Sequence, residues 1–212
     1  KTNYCYQVIN IYNNGTRSIS LEKCGEAFTT TNPSPINNTS SVVSTNGVKL
    51  NWKQDPLFNP FEYTILRSQN SGAFNEIGKV SSNEFSDPEY TTVSNSCYRI
   101  NYSDLCGNQS QPGTLICPMK LSYTIDNKNA ITLRWSNLKG WNNGVKQYRI
   151  EKYDKSGGLM STTNVGADTV FIDDQLDLNN QVVQYRILAD AQEVGLVTSV
   201  SNQVVITKNA NL

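Results

Sequence analysis

Short stretches of the chain alternate between apolar and polar residues, and this period of two predicts β-strands. Between residues 48 and 52, for example, Val48, Leu50 and Trp52 fall on one face of the predicted strand. Residues 131–135 repeat this alternation. Strands with one apolar and one polar face are typical of antiparallel sheets that bury one side. The sequence therefore predicts an all-β fold made of antiparallel β-sandwiches.

Four aromatic residues from these stretches recur in the same order later in the chain. The gaps between successive members are 11, 22 and 13 residues in the first set and 13, 23 and 14 in the second. Such self-similarity indicates tandem copies of one small domain. The residues expected in the two cores are Trp52, Tyr63, Phe85 and Tyr98 in the first copy and Trp135, Tyr148, Phe171 and Tyr185 in the second.

The repeat also predicts how the chain divides. At roughly 85 to 90 residues per repeat, the 212 residues hold two complete domains, each large enough for its own core. Residues 5–8 (Cys-Tyr-Gln-Val) match residues 97–100 (Cys-Tyr-Arg-Ile), which indicates the end of an earlier repeat. We expect residues 1–24 to form the C-terminal hairpin of a preceding repeat, 25–34 a linker, 35–117 and 118–208 the two domains, and 209–212 a tail toward a following module.

The first two cysteines fit a hairpin. Facing residues of an antiparallel hairpin have a constant sum of residue numbers, and Cys5 opposite Cys24 centres the turn on Asn14 and Gly15. Asn-Gly is the preferred sequence for a two-residue type I′ turn. The turn chemistry and the cysteine positions therefore both predict a Cys5–Cys24 disulfide.

The same arithmetic places Cys97 opposite Cys117, in a hairpin centred on Gly107. Cys106 then lies at the tip, roughly 27 Å from either partner at about 3.3 Å per residue, whereas a disulfide needs Cα atoms within about 7 Å. We expect a Cys97–Cys117 disulfide and Cys106 as a free thiol, or as the site of an intermolecular link. Cross-strand disulfides indicate an extracellular or cell-surface location. The alternative is a cytosolic protein with five reduced thiols.

Composition and charge narrow the range of functions. The 18 basic and 18 acidic residues form no run of either sign, so we expect no nucleic-acid binding. The longest apolar stretches, such as Val204–Ile206, are far too short to cross a bilayer, so no direct membrane insertion is expected. The chain has no histidine, which removes the commonest general base and metal ligand. We therefore expect a protein that is not an enzyme and that has no catalytic residues, no cofactor and no metal.

Both repeats resemble fibronectin type III domains. That family has a buried Trp on its second strand, matched by Trp52 and Trp135, and a Tyr-led apolar strand, matched at Tyr98 and Tyr185. The resemblance covers residues 35–208 and implies a tyrosine corner, in which the hydroxyl bonds the backbone a few residues upstream. The structural alternative is a cadherin-like or other immunoglobulin-like sandwich.

Residues 96–110 and 141–153 are similar to repeats of secreted Bacteroidota surface proteins of the type IX (gliding-associated) system. In those proteins the repeats precede a type B C-terminal sorting module that opens with a Pro-Asn-Ala-Phe type motif, which these 212 residues do not contain. The resemblance implies partners in the secretion or surface-attachment machinery, in addition to neighbouring domains of the same chain.

Trp141 is the candidate glycan contact, because an exposed indole offers a flat apolar face to a sugar ring. The first repeat carries Leu57 and Phe58 in the equivalent connection, so an apolar plug over the end of each core is the competing interpretation.

An aspartate-rich loop in the second repeat offers oxygen atoms to calcium, but its spacing does not fit the Asp-x-Asp-x-Asp-Gly pattern. The first repeat has Phe85-Ser-Asp87 in the matching place, which makes the first aspartate part of the repeated turn. We expect no metal at this loop, whose oxygen-bearing residues are Asp173, Asp174, Asp177 and Asn179.

Together these patterns predict a non-catalytic extracellular spacer in a gliding-associated adhesin exported by type IX secretion, with its domains joined end to end through residues 117–119. The alternatives are accessory, glycan-binding modules of a secreted polysaccharide-degrading enzyme, and a eukaryotic receptor ectodomain that binds a protein ligand.

Overall fold

The computed structural model describes residues 2–27, 31–54, 60–104, 107–174 and 182–207. Every regular element in these ranges is a β-strand. The strands are β1 (Thr2–Tyr6), β2 (Ile9–Ile11), β3 (Arg17–Ile19), β4 (Lys23–Ala27), β5 (Thr39–Ser44), β6 (Gly47–Trp52), β7 (Pro60–Gln69), β8 (Asn75–Val80), β9 (Glu84–Asp87), β10 (Ser96–Asp104), β11 (Leu121–Ile125), β12 (Ile131–Trp135), β13 (Val145–Tyr153), β14 (Leu159–Gly166), β15 (Val170–Asp173), β16 (Val183–Ala191), β17 (Ser199–Val200) and β18 (Val204–Ile206).

The first sandwich consists of β5 to β10. One sheet has the order β5-β6-β9 and the other has the order β10-β7-β8. The chain after β10 returns beside it, with bridges at Ile116 to Tyr98 and at Gln109 to Ser103. The two inner faces enclose one apolar core, in which Leu50, Ile65 and Tyr98 are fully buried.

The second sandwich consists of β11 to β18 and repeats this order. Strands β11-β12-β15 form one sheet, and β14-β13-β16 form the other, where β17 and β18 both pair with β16. Its core is a separate cluster, with Ile131, Leu133 and Ile187 fully buried. The two antiparallel sandwiches confirm the predicted all-β, immunoglobulin-like fold class.

The repeated aromatic residues differ in how deeply they are buried. Six of the eight are at most 6% exposed: Trp52, Tyr63, Tyr98, Trp135, Tyr148 and Tyr185. Phe85 and Phe171 are only partly buried, because β9 and β15 are edge strands, and both rings pack against the sides of the cores.

Four of the described hairpin loops follow one local design. Each loop has three residues, and the third has a positive φ angle. This geometry combines a type I turn with a bulge. In the first, Gly15 (φ 82°) donates to the Tyr12 carbonyl at 2.8 Å, and Tyr12 donates to the Thr16 carbonyl at 2.9 Å. The expected two-residue turn at Asn14-Gly15 is therefore wrong by one residue. The other positive-φ residues of this design are Gly107, Asn129 and Gly157.

The N-terminal hairpin pairs β1 with β4 and β2 with β3. The Cys5–Cys24 disulfide joins its strands, with Cα atoms 4.0 Å apart. Every side chain from residue 3 to residue 26 is exposed. Apolar residues such as Tyr6 and Val8 are therefore not buried against any part of the chain that the structure describes.

Candidate functional site at the seam between the sandwiches

The two sandwiches share one continuous sheet. Strand β17 of the second sandwich pairs in parallel with β5 of the first, with Val200 opposite Val42. The composite sheet runs in the order β14-β13-β16-β17-β5-β6-β9. We call this junction the seam and define it as residues 37–42 of the first sandwich together with residues 140–142, 193 and 197–200 of the second. The expected end-to-end arrangement is therefore wrong, because the sandwiches join edge to edge.

Small hydroxyl side chains make this close approach possible. Strand β5 begins with Thr39, Ser40 and Ser41, which are at most 2% exposed, and Ser199 on the facing strand is fully buried. The Ser41 backbone N–H donates to the Ser199 hydroxyl at 2.9 Å, and the Thr39 N–H donates to the Gly140 carbonyl at 2.8 Å. Buried backbone groups at a sheet edge need such partners, since an unpaired one costs about 1–3 kcal/mol.

Ser40 links two parts of the second sandwich. Its hydroxyl accepts a hydrogen bond from the indole nitrogen of Trp141 at 3.2 Å and donates one to the Val197 carbonyl at 2.5 Å. Trp141 is 6% exposed and belongs to the core of the second sandwich. The indole therefore presents no open face to a sugar, and Trp141 is a seam residue rather than a glycan contact. Its counterparts Leu57 and Phe58 lie outside the described residues.

Gly140 lets the backbones of the two sandwiches meet. It is buried, with a φ of 143°, a region that L side chains rarely adopt. A Cβ atom at this position would lie 2.5 Å from the Thr39 carbonyl oxygen. Any other residue at position 140 would therefore push β5 away from the second sandwich.

Polar contacts surround the buried part of the seam. The Glu193 carboxylate accepts from the Asn38 amide and from the Lys53 ammonium, both at 2.8 Å. Lys53 is 54% exposed, so water screens this ion pair. Exposed pairs contribute little to stability, at most about 1 kcal/mol, and Glu193 mainly fixes the orientation of the two surfaces.

The connection between the sandwiches is also held in place. Cys117 forms a disulfide with Cys97 on β10, with Cα atoms 4.3 Å apart, and its N–H donates to the Lys139 carbonyl at 3.1 Å. Pro118 and Met119 follow directly and are buried. Residues 117–119 therefore bond to both sandwiches rather than forming an open hinge.

A buried triad of Tyr, Asp and a basic residue occurs once in each sandwich. In the first, the Tyr98 hydroxyl donates to Asp87 Oδ2 at 2.7 Å, and the Arg67 guanidinium donates to the same oxygen at 2.8 Å. In the second, the Tyr185 hydroxyl and the Lys152 ammonium donate to Asp173 Oδ2 at 2.7 and 2.9 Å. Each hydroxyl thus bonds a carboxylate 11 or 12 residues upstream, so the expected bond to nearby backbone is wrong.

The triads change the chemistry of the two tyrosines. Burial, followed by the bond to a carboxylate, raises the pKa of Tyr98 and of Tyr185 far above the usual value for a phenol. Both hydroxyls therefore stay protonated and act as hydrogen-bond donors inside the sandwiches. The basic residue four positions after Tyr63 or Tyr148, together with Phe-x-Asp, was the sequence signal for this arrangement.

The aspartate-rich loop is only partly described. Asp173 is 8% exposed and bonds Tyr185 and Lys152, so its carboxylate already has a cationic partner. Asp174 is exposed, and Asp177 and Asn179 lie outside the described residues. Within the described ranges, the group with metal-ligand spacing is Cys5, Glu22 and Cys24, whose thiols form a disulfide.

Cys106, the expected free thiol, also lies outside the described residues. The structure does contain the other two expected features of the cysteines, namely the Cys5–Cys24 and Cys97–Cys117 disulfides. Among the residues described, no helix is long and apolar enough to span a bilayer.

These strands and the seam define a tandem pair of immunoglobulin-like β-sandwiches. The solved structures that the chain matches include a two-domain fibronectin type III segment from chicken tenascin. The identity is 18%, over 81% of this chain and 97% of that chain, and the TM-score is 0.31. No protein-family model and no curated protein match the chain. The fold is accordingly defined by the strands of this chain itself.

Proposed function

We propose that the chain is a non-catalytic structural region that holds neighbouring modules of a longer protein at a fixed spacing. The observation that carries this proposal is the seam, in which buried Thr39 and Ser41 donate backbone hydrogen bonds to the second sandwich. A buried, hydrogen-bonded contact opposes independent motion of two modules, which is otherwise the default for domains joined by a short linker. The pair therefore acts as one rigid spacer.

The proposal places the spacer outside the cell, as part of a secreted or cell-surface protein. Both described disulfides join strands of single hairpins, and cytosolic reductants would keep such thiols reduced. The segment at residues 96–110 further supports a gliding-associated adhesin exported by type IX secretion, with the secretion or attachment machinery as a partner.

The division of the chain forms part of the same proposal. The two sandwiches correspond to residues 35–117 and 118–208, with a tail at 209–212. The linker expected at 25–34 starts later, because β4 pairs with β1 as far as Ala27. Tyr6 is 69% exposed, whereas Tyr98 is fully buried, although each lies six residues before the residue that precedes a three-residue loop, Tyr12 or Asp104. We assign the N-terminal hairpin, which extends to Ala27 rather than to the expected residue 24, to a preceding repeat whose other strands would cover Tyr6.

Residual dipolar couplings and small-angle scattering on the whole chain test the spacer. We expect one alignment tensor to fit both sandwiches and the scattering to match the edge-to-edge pair. Two independent tensors would overturn the proposal.

Alkylation of thiols in intact source cells tests the location. Cysteines 5, 24, 97 and 117 should be protected, and their labelling without reductant would contradict an extracellular site.

A further inference from the structure

We propose that the seam is a mechanical clamp, which bears tension along the chain before either sandwich does. Below a threshold force it keeps the sandwiches edge to edge, and above that force it releases them into an end-to-end arrangement. This inference rests on the proposed structural function and adds a response to load.

The direction of the paired strands carries the inference. Strand β5 is the first strand of the first sandwich, while β17 and β18 are the last strands of the second. Contacts along the seam run in ascending order on both sides, from Ser40 with Val197, through Ser41 with Ser199, to Val42 with Val200. The chain consequently enters at one end of the seam and leaves from the other.

This geometry loads the seam in shear. Tension on the segment before residue 37 pulls β5 back along its own axis, and tension beyond Ile206 pulls the last strand in the opposite direction. Hydrogen bonds that lie across such an axis are strained together, whereas bonds in a peeled hairpin break one after another. A sheared seam therefore resists more force than the same bonds would resist in peeling.

Several features strengthen the entry end of the seam. The Asn142 N–H donates to the Asn37 carbonyl at 3.0 Å, two residues before the Thr39 bond to Gly140. Trp141 lies between these two bonds and is anchored in the core of the second sandwich. Thr39, Gly140 and Trp141 are buried, so water has little access to the Thr39 bond, and hydrogen bonds are stronger in such a low-dielectric environment.

Release of the seam leaves both sandwiches folded, because each has its own core cluster. Residues 117–119 then become the pivot. The Cys97–Cys117 disulfide holds the chain between them at a fixed length, so the first step of extension comes from rotation of whole sandwiches. Under increasing force, we expect the chain to lengthen by a short step before either sandwich unfolds.

Single-molecule force spectroscopy on the full chain, with handles at its two termini, tests the clamp. We expect a short extension event before the sandwiches unfold. Gly140→Ala introduces a Cβ against the Thr39 oxygen and should abolish this event without changing the later unfolding forces. Gly144→Ala is the matched control, because Gly144 lies in the same loop with a positive φ of 72° but has open space around its Cβ position. It should retain the event.

A second pulling geometry distinguishes shear from simple adhesion. A handle inserted in the turn at residues 45–46, used with the C-terminal handle, loads the seam from one end and should lower the release force. Equal forces in the two geometries, or an event that Gly140→Ala leaves unchanged, would overturn the clamp. One alignment tensor without a release event would leave the spacer intact and reject only the clamp, whereas independent tumbling would reject both.

Discussion

The hydroxyl of Ser40 in the first sandwich bonds both the Trp141 indole nitrogen and the Val197 carbonyl of the second sandwich, at 3.2 and 2.5 Å. One small side chain thereby joins the edge strand β5 to the loop that carries Trp141 and to the segment just before β17. Because Ser40 is 2% exposed, water does not replace these partners when they are lost. The seam therefore depends on polar groups that are buried only when the two sandwiches meet.

Ser40→Ala should destabilise the chain by about 1–3 kcal/mol, because the Trp141 N–H loses its acceptor in a buried site. Urea unfolding followed by tryptophan fluorescence measures this change. Ser86→Ala is the control, since Ser86 is exposed on β9 and its loss should stay within about 0.5 kcal/mol. Equal stability of the two variants would show that the seam does not contribute to folding.

The sequence predicted the sandwiches but not the seam, for a physical reason. Alternation around Trp52 and Trp135 reports which face of a strand is buried, and this information is local. The hydrogen bond of the Ser41 backbone N–H depends on the Ser199 hydroxyl, which lies 158 residues away. A serine at the start of an edge strand has the same sequence pattern whether it faces water or another sandwich, so only the tertiary structure identifies it.

Part of the triad arrangement could be predicted from the sequence. Asp87 and Asp173 were recognised as parts of a repeated turn, and Tyr98 and Tyr185 as core residues. Their contact was missed, because the resemblance implied a backbone acceptor close in sequence, whereas the carboxylate approaches from β9 or β15 on the opposite sheet.

Tyr98→Phe and Tyr185→Phe should each cost about 1–3 kcal/mol in free energy of unfolding, because a buried carboxylate loses a donor. Tyr12→Phe, on the exposed N-terminal hairpin, should be close to neutral. Chemical denaturation of the three variants supplies the comparison. A larger effect from Tyr12→Phe than from either triad variant would contradict the assignment.

The same tyrosines predict sensitivity to alkali. Burial raises the pKa of Tyr90 to about 12, and the pKa values of Tyr98 and Tyr185 are also raised. Since the folded pKa exceeds the unfolded value of 10.0, their contribution to stability is complete below pH 10.0 and is lost as the pH rises beyond it. Ultraviolet titration should show these phenols ionising only as the chain unfolds, and their ionisation in the folded state would refute this.

The two disulfides should differ in their effect on the sandwiches. Replacing Cys97 and Cys117 by Ala should destabilise the first sandwich by about 3 kcal/mol, since the bond closes a loop of 20 residues. Replacing Cys5 and Cys24 by Ala should leave sandwich unfolding unchanged, because the N-terminal hairpin is exposed throughout. Thermal unfolding of both double variants tests this contrast, and an equal loss of stability would mean that the hairpin packs on a sandwich.

Acid should lower the stability of the second sandwich next to the seam, because it protonates Asp190. The Arg149 guanidinium bonds both carboxylate oxygens, at 2.7 and 2.8 Å, and with Gln147 and Thr198 it lowers the pKa of Asp190 to about 2 against the opposing effect of burial. Asp190 lies on β16, and Thr198 comes directly before β17, so Asp190 connects β13 to the start of β17.

Because the folded pKa of Asp190 lies below its unfolded value of 3.8, its contribution to stability is present above pH 3.8 and is lost as the pH falls toward about 2. Asp190→Asn should therefore be less stable than the wild type at neutral pH and should lose less stability between pH 4 and pH 2. Urea unfolding across this range provides the measurement, with the exposed Asp168→Asn as the control. Parallel pH profiles for Asp190→Asn and the wild type would exclude Asp190 as an acid-sensitive group of the second sandwich.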